Sequence, residues 1–386
     1  IALLDALPTK HHSGTIEHSM TLTPSFDHVI TNDLIIPSGV QLEIKAGARI
    51  KFMEQANIIV NGTLVAHGSI DNPIQFGCYE HEKPWGGIIL SNAEASFEYC
   101  FFTRGGADDS REFGHSHSQA VIMAVRSNLS IEHSYLFDNI GKAFGGTKSK
   151  IDIRDCIITR CDTGGEFHSC LVNVFGSHIL DIPNDDGEFV DDDNDGLYFA
   201  SHYPGIDEPS KVENCFIVTT KDDAIDHNLA KLQINNSWLE GAAHEGVAGS
   251  NGNWVKVFNT VIKNCEQGIE AGYTEPTVIV DHCVIVDNDI GLRFGDSYDW
   301  GCRGKMTVTN TIVYNNRDNI YNFDLKSAAP VSGGIEISYS MTNDAEYDQS
   351  PNCIAGIPRF NADYLLLSDS PGKNAANDGL DMGLIP

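Results

Sequence analysis

Four phrases in the second half of the chain bring carboxyls and a histidine to matching positions. They are Asn194-Asp195-Gly196-Leu197, Asp222-Asp223-Ala224-Ile225, His244-Glu245-Gly246-Val247 and Glu266-Gln267-Gly268-Ile269, followed by Ile290-Gly291-Leu292-Arg293. Aligned on the Gly/Ala–aliphatic pair, the polar residues before it form two adjacent columns. One residue beyond the aliphatic stand Asp226, Glu270 and Arg293, with His227 next to Asp226. Carboxyls stacked this closely disfavour one another's ionised forms, so one can keep its proton near neutral pH and serve as a general acid. Asp222, Asp223, Asp226, His227, His244, Glu245 and Glu270 are therefore the candidate catalytic residues.

Substrate contacts are expected nearby. Arg293 suits the bidentate grip of a carboxylate or sulfate. Tyr273, Asp296, Tyr298 and Trp300 lie in the loop phrases GYTEP and GDSYDWG, where aromatic faces can stack on sugar rings. Trp238 and Trp254 lie within strand phrases and are expected to pack. A separate signal is Asp191-x-Asp193-x-Asp195-Gly196, the spacing with which alternate oxygens and a glycine turn wrap calcium. The twelfth loop position is His202 rather than Glu, so Asp222 or Asp226 would have to complete the shell. Asp195 cannot both bind calcium and act as an acid, and the sequence leaves the two roles as alternatives. His115 and His117 read as a solvated turn, and Lys10-His11-His12 as a frayed terminus.

The elements that must position these residues are short strands. VENCFIVTT, LQINNSWLE, VKVFNTVIKN, VIVDHCVIVDN and MTVTNTIVYNN recur with apolar residues at alternate positions, the pattern of half-buried strands. Their polar-plus-small pairs are Asn214-Cys215, Asn236-Ser237, Asn259-Thr260, His282-Cys283 and Asn310-Thr311, separated by steps of 22, 23, 23 and 28 residues. Regular Asn-Gly or Asp-Gly hairpin turns are missing, so the strands are not paired as successive hairpins. A period near 22 predicts an all-β, right-handed parallel β-helix in which each coil stacks on the last. The Cys/Ser/Thr column is then interior, and the Asn/His/Asp column, with His133 and Asp155, sits at the turn. One domain is expected over 1–386, with a cap at 1–35, coils over 36–345 and a closing segment at 346–386.

Composition narrows the partners. The chain has 54 Asp and Glu against 25 Lys and Arg, a formal charge of −29. Such a field repels nucleic-acid backbones and anionic membranes, and it suits divalent cations. No apolar run reaches the ~20 residues that span a bilayer. A secreted or cell-surface protein with a polysaccharide or glycan partner is expected, and the start at Ile1 is consistent with processing. Cys161/Cys170 and Cys302/Cys353 are candidate loop disulfides, while Cys100, Cys156, Cys215 and Cys283 fall in the interior column.

The opening PSGVQLEIKAGARIKF…ANIIVNGTLVAHGSIDNPIQF, then WGGIIL, and the ending NAANDGLDMGLIP resemble bacterial β-helix repeat proteins of the pectate-lyase-like superfamily. The resemblance spans nearly the whole chain and implies fold rather than activity, since that fold hosts many chemistries. The motif order also resembles polygalacturonase-type glycoside hydrolases, with Asn194-Asp195, Asp222-Asp223, His244 and Arg293 as counterparts. That resemblance implies Asp223 or Asp222 as the acid, neighbouring carboxylates activating water, His244 tuning them and Arg293 gripping an acidic sugar. Departures are a missing Thr before Asp195, Glu245 after His244, no Lys two after Arg293, and an extra coil. The leading reading is a polysaccharide-degrading glycoside hydrolase. Its alternatives are a calcium-dependent polysaccharide lyase, with His or Arg293 taking the proton, and a non-catalytic calcium- or glycan-binding adhesin or surface module.

Overall fold

The computed structural model describes residues 7–183, 193–295, 301–323 and 334–386. The chain forms two compact units, Ile1–Asp186 and Gly187–Pro386. Each is a parallel β-helix: every coil contributes a strand to each of three sheets, and each strand pairs in parallel with its counterpart one coil on. Among the described residues there is no α-helix, only a 3-10 turn at Asp109–Arg111.

In Gly187–Pro386 the first sheet contains Leu197–His202, Ile225–Asn228, Glu245–Ser250, Gln267–Ala271, Ile290–Phe294 and Asp318–Asn322. The second runs through Lys231–Asn235, Trp254–Phe258 and Thr277–Asp281, the third through Trp238–Ala242, Val261–Lys263 and Val284–Val286. Register fixes which side chains stack. Leu197, Ile225, Val247, Ile269, Leu292 and Ile320 occupy one column, and all are buried. Burying a side chain of this size contributes about 1.5–3 kcal/mol, so the column is a principal source of stability. Alternation then points the next column outward: Tyr198, Asp226, Ala248, Glu270, Arg293 and Tyr321.

The turn and interior columns are as the period predicts. Asn214, Asn236, Asn259, His282 and Asn310 all have φ between 49° and 55°, the left-handed region that Asn tolerates best among residues with a side chain. The amide of Asn259 donates to Asn236 Oδ1 at 2.9 Å, a side-chain bond between coils. Beside them, the backbone N–H of Cys215 donates to Ser237 Oγ (3.2 Å), Ser237 to Thr260 Oγ1 (3.3 Å), and Cys283 to Thr311 Oγ1 (3.2 Å). The small polar residues thus satisfy the N–H groups that each corner would otherwise leave unpaired.

Three expectations are corrected. All ten cysteines are free thiols, Cys161, Cys170, Cys302 and Cys353 included. Lys10-His11-His12 is not frayed: Thr9–Thr15 pairs with Asp27–Ile36, and His12 Nε2 lies 3.0 Å from His28 Nδ1. Coils also begin before residue 36, since Met20–Leu22 already pairs with Gln41–Lys45. After Thr342 the closing segment lays Leu366 and Met382 on Val284, Ile312 and Met341.

Candidate active site

The corner leading into the first sheet admits almost no side chain. A Cβ on Gly246 would lie 2.6 Å from the Gly268 carbonyl oxygen, and one on Gly268 would lie 2.5 Å from that of Gly291. This close approach is why the phrases carry Gly or Ala before the aliphatic residue. It also fixes the residues just ahead of the corner, so that Asp195, Asp223, Glu245 and Gln267 follow one another from coil to coil.

Each carboxylate caps the next coil. The Asp223 N–H donates to Asp195 Oδ1 at 3.3 Å, and the Glu245 N–H to Asp223 Oδ1 at 2.8 Å. The Gln267 amide nitrogen lies 2.6 Å from Glu245 Oε1. Asp195, Asp223 and Glu245 are only 3%, 5% and 2% exposed, because they stand two residues before the inward aliphatics and share their parity.

Burial governs their protonation. It raises the Asp195 carboxyl well above the ordinary range, and the charges of Asp226, Asp223 and Asp222 add to the effect. Burial followed by Glu245 and Asp222 does the same to Asp223, and burial followed by Glu270 to Glu245. The row therefore stores protons. His244 lies against it, with Nδ1 at 2.6 Å from Glu245 Oε2, 3.5 Å from Asp222 Oδ1 and 3.8 Å from Asp223 Oδ1. Burial alone would lower its pKa, but the Asp222 interaction and the charges of Asp223, Asp222 and Glu270 push it up to about 9. At neutral pH the imidazole is the internal counter-ion of the carboxyls.

Gln267 reports the same state. Its amide nitrogen is 3.4 Å from His244 Nε2, and its Oε1 is buried without a partner. With His244 cationic and Glu245 protonated, both neighbours are donors. Turning the amide over then presents Oε1 to them and removes the orphan.

Other candidates fall in different places. Asp226 and Arg293 are half-buried on the outward column, and Glu270 is buried beside them. A Cβ on Gly272 would come within 2.3 Å of the Glu270 carboxylate, so that glycine makes room for it. The Arg293 guanidinium sits 5.5 Å over the Tyr321 ring, and its Nε donates to the Gly295 carbonyl at 3.3 Å. Tyr273 is half-buried at the turn after Gln267–Ala271. His227 belongs to the interior instead: it is fully buried, its Nε2 bonds the Ala230 carbonyl at 2.7 Å, and burial pulls its pKa down to about 4. Asp193 and Asp195 are described, but Asp191, Asp296, Tyr298 and Trp300 lie outside the described residues. Among the described residues the group geometrically able to hold a metal is Asp222, Asp223 and His244, whose ligand atoms lie within 4.8 Å of one another.

Sequence reasoning passed over Gln267, although it stands in the same aligned column as the acids. It also passed over a second buried cluster, in Ile1–Asp186. There the fully buried Lys142 bonds Glu166 at 2.7 Å, and His168 bonds the other oxygen of Glu166 at 2.7 Å. The Glu166 carboxylate also accepts the His115 N–H and so clasps the 113–118 hairpin. Burial pushes Glu166 up, but His168 and Lys142 outweigh it and hold it below the ordinary carboxyl range. Lys142 and Glu166 neutralise each other in the interior, which suits structure. A shallow depression of about 520 Å³ over Thr63, Ser96, Ser130 and Asp152 lies on the second sheet of the same unit, away from the titratable clusters.

No family model matches the chain, and no curated protein matches it. Several solved structures are similar in the course of their chains. A periplasmic alginate epimerase is 10% identical, with 86% of this chain and 77% of that one covered and a TM-score of 0.49. An alginate lyase solved in complex with G6 is 11% identical, with 98% and 94% covered and a TM-score of 0.49. A pectate lyase is 11% identical, with 98% and 96% covered and a TM-score of 0.39. The chain's own coil-to-coil strand pairing makes it a parallel β-helix.

Proposed function

We propose that the protein is carbohydrate-active and cleaves an acidic polysaccharide by elimination, with the acid nest of Gly187–Pro386 as a divalent-cation site. The observation that carries this reading is the cluster of buried Asp222 and Asp223 with half-buried His244, in which Asp222 Oδ1 makes no hydrogen bond and faces His244 Nδ1 at 3.5 Å. An orphaned carboxylate oxygen beside further carboxyls suits a hard cation such as calcium, which prefers oxygen ligands. The nitrogen of His244 suits calcium less well, and its proton occupies the role of the cation in the resting protein.

Asp222 and Asp223 would hold the ion, with Asp195 and Glu245 behind them. Bound there, a cation would neutralise a uronate carboxylate and make the adjoining C–H more acidic. The chain's own residues supply the rest. Once Asp222 and Asp223 are engaged, His244 loses charges that hold its proton, and the imidazole becomes a base near neutral pH. Arg293, on the column beside Glu270, grips and orients a second acidic group of the sugar. Protonated carboxyls of the row can return a proton to the departing oxygen through Glu270, whose charge adds to the burial that raises Glu245.

Hydrolysis by a carboxyl pair needs two acids facing each other across the scissile bond. Here Asp195, Asp223 and Glu245 lie along one wall and are nearly sealed, which counts against it. One observation still favours hydrolysis: carboxyls kept protonated at neutral pH are what a general acid requires. The test is to incubate polygalacturonate and alginate with the protein, with calcium or with a chelator, and follow two products. Elimination predicts calcium-dependent ultraviolet absorbance from an unsaturated sugar end, abolished in His244→Gln. Reducing ends without that absorbance would establish hydrolysis instead, and neither product would overturn both readings.

A further inference from the structure

In a chain of net charge −29, four cations gather on one face of Ile1–Asp186. Two adjoining clefts of about 330 and 530 Å³ open over the paired strands Arg49–Phe52, Ile74–Cys78, Cys100–Thr103 and Tyr135–Phe137 and share Gly77, Cys78, Thr103 and Phe137. Arg49 and Lys51 line the first, Arg104 and Arg160 the second. Two carboxylates answer these four cations. Asp27 bonds both Arg49 (2.6 Å) and Lys51 (3.0 Å), and Asp138 bonds Arg160 (2.5 Å). At the mouth, Glu80 and Glu82 are engaged by Lys83 and His81.

Arg104 is the informative member. Its backbone is held at φ 63°, its Nη2 donates to the His81 carbonyl at 3.0 Å, and its Nε is buried with no hydrogen-bond partner. Its charge meets no carboxylate among the described residues, unlike those of Arg49, Lys51 and Arg160, so the guanidinium is the one of the four left for an acidic group from outside. The floor is apolar and aromatic. Phe101 is 37% exposed, its ring is edge-on to Tyr135 at 6.2 Å, and Tyr135 lies 4.7 Å from Phe137. Register explains the hollow: Lys51 pairs with Gly77, and Thr103 with Phe137, so the column is interrupted where Gly77 has no side chain.

We infer that this groove binds an anionic oligosaccharide, its rings over Phe101, Tyr135 and Phe137 and its acidic groups on Arg104, Arg160 and Lys51. The aromatic floor argues for a sugar over a bare anion. A repeating polymer lying along the stack also meets a new coil every ~4.8 Å. The site is separate from the acid nest and does not rest on the reading given for it.

The test uses the full chain carrying Glu245→Gln, so that turnover does not remove the probe. Titration calorimetry at low salt would compare a galacturonate hexamer, a sulfated hexasaccharide and a neutral mannose hexamer. At least one acidic probe should bind at least about tenfold more tightly than the neutral one, and the stronger of the two identifies the acidic group. Arg104→Gln should weaken that binding about tenfold through lost charge. Gly77→Leu should weaken it as much by filling the hollow with every charge retained. The Cβ has room, its nearest neighbour being Thr103 Cγ2 at 3.5 Å, so this variant stays informative if Arg104→Gln misfolds. Equal affinity for all three probes, or acidic binding that both variants leave unchanged, would overturn the inference. Groove binding without product from the unmodified chain would instead sink only the catalytic reading.

Discussion

Replacing His244 by Gln should change stability in a way that depends steeply on pH. The unfolded imidazole titrates near 6.5, and the folded one is pushed up to about 9 by Asp222, Asp223 and Glu270 against the pull of burial. The folded state therefore binds the proton more tightly. Its contribution is complete below pH 6.5, falls as pH rises through the interval, and is gone above about 9. Each tenfold difference in proton affinity is worth about 1.4 kcal/mol, so the full contribution is about 3 kcal/mol. Urea melts of both chains in chelator should differ by about that amount at pH 6 and converge near pH 9.5. The ring-proton resonance of His244 should titrate with a midpoint at about 9. A stability difference that stays constant from pH 6 to 9.5 would refute the counter-ion role.

His227 predicts the opposite limb. Buried neutral, with its pKa down at about 4, it contributes stability above pH 6.5 that is lost as pH falls toward 4. His227→Met should flatten that acid limb in urea melts, and an unchanged limb would count against the assignment. Gly268→Ala puts a methyl 2.5 Å from the Gly291 carbonyl oxygen and 2.7 Å from Ile285, and should cost about 1–3 kcal/mol. Thermal melting reads that loss, and no change would show that the corner can widen. Calcium at a hundred times its dissociation constant should stabilise the unmodified chain by about 2.7 kcal/mol at pH 7.5. That gain should disappear in Asp222→Asn, and its persistence would place the ion elsewhere.

The fold was legible because a period near 22 and alternate apolar residues are geometric signals. They assigned the Cys/Ser/Thr column to the interior, where it is buried, and Asn214, Asn236 and Asn259 to the turn, where the structure gives them positive φ. The site was legible as columns but not in depth. The parity that makes Ile225 inward also makes Asp223 and His227 inward, one as a sealed acid and the other as a core residue. Reading that parity would have removed His227 from the catalytic set. That one carboxyl keeps its proton was legible from the stacking, but that burial does most to protonate Asp195, Asp223 and Glu245 was not, because it depends on how completely neighbouring coils exclude water. The unit-one groove was invisible for another reason: Arg49, Lys51, Arg104 and Arg160 are scattered through an acidic chain and meet only once register is known.

The glycine corners also govern how such a chain can change by descent. A side chain larger than the methyl of Ala224 finds no room there, so Gly246, Gly268 and Gly291 are poor places for gradual substitution. A whole coil, by contrast, brings its own corner, its own interior hydroxyl or thiol and its own left-handed turn. Duplicating or deleting one therefore preserves every local rule. The acid nest draws on successive coils from Asp195 to Gln267, so an inserted coil inside that span would separate partners that now touch. Inserted elsewhere, it would leave the chemistry alone. Lineages of this protein should thus vary by coil number on either side of the nest and hold the count within it.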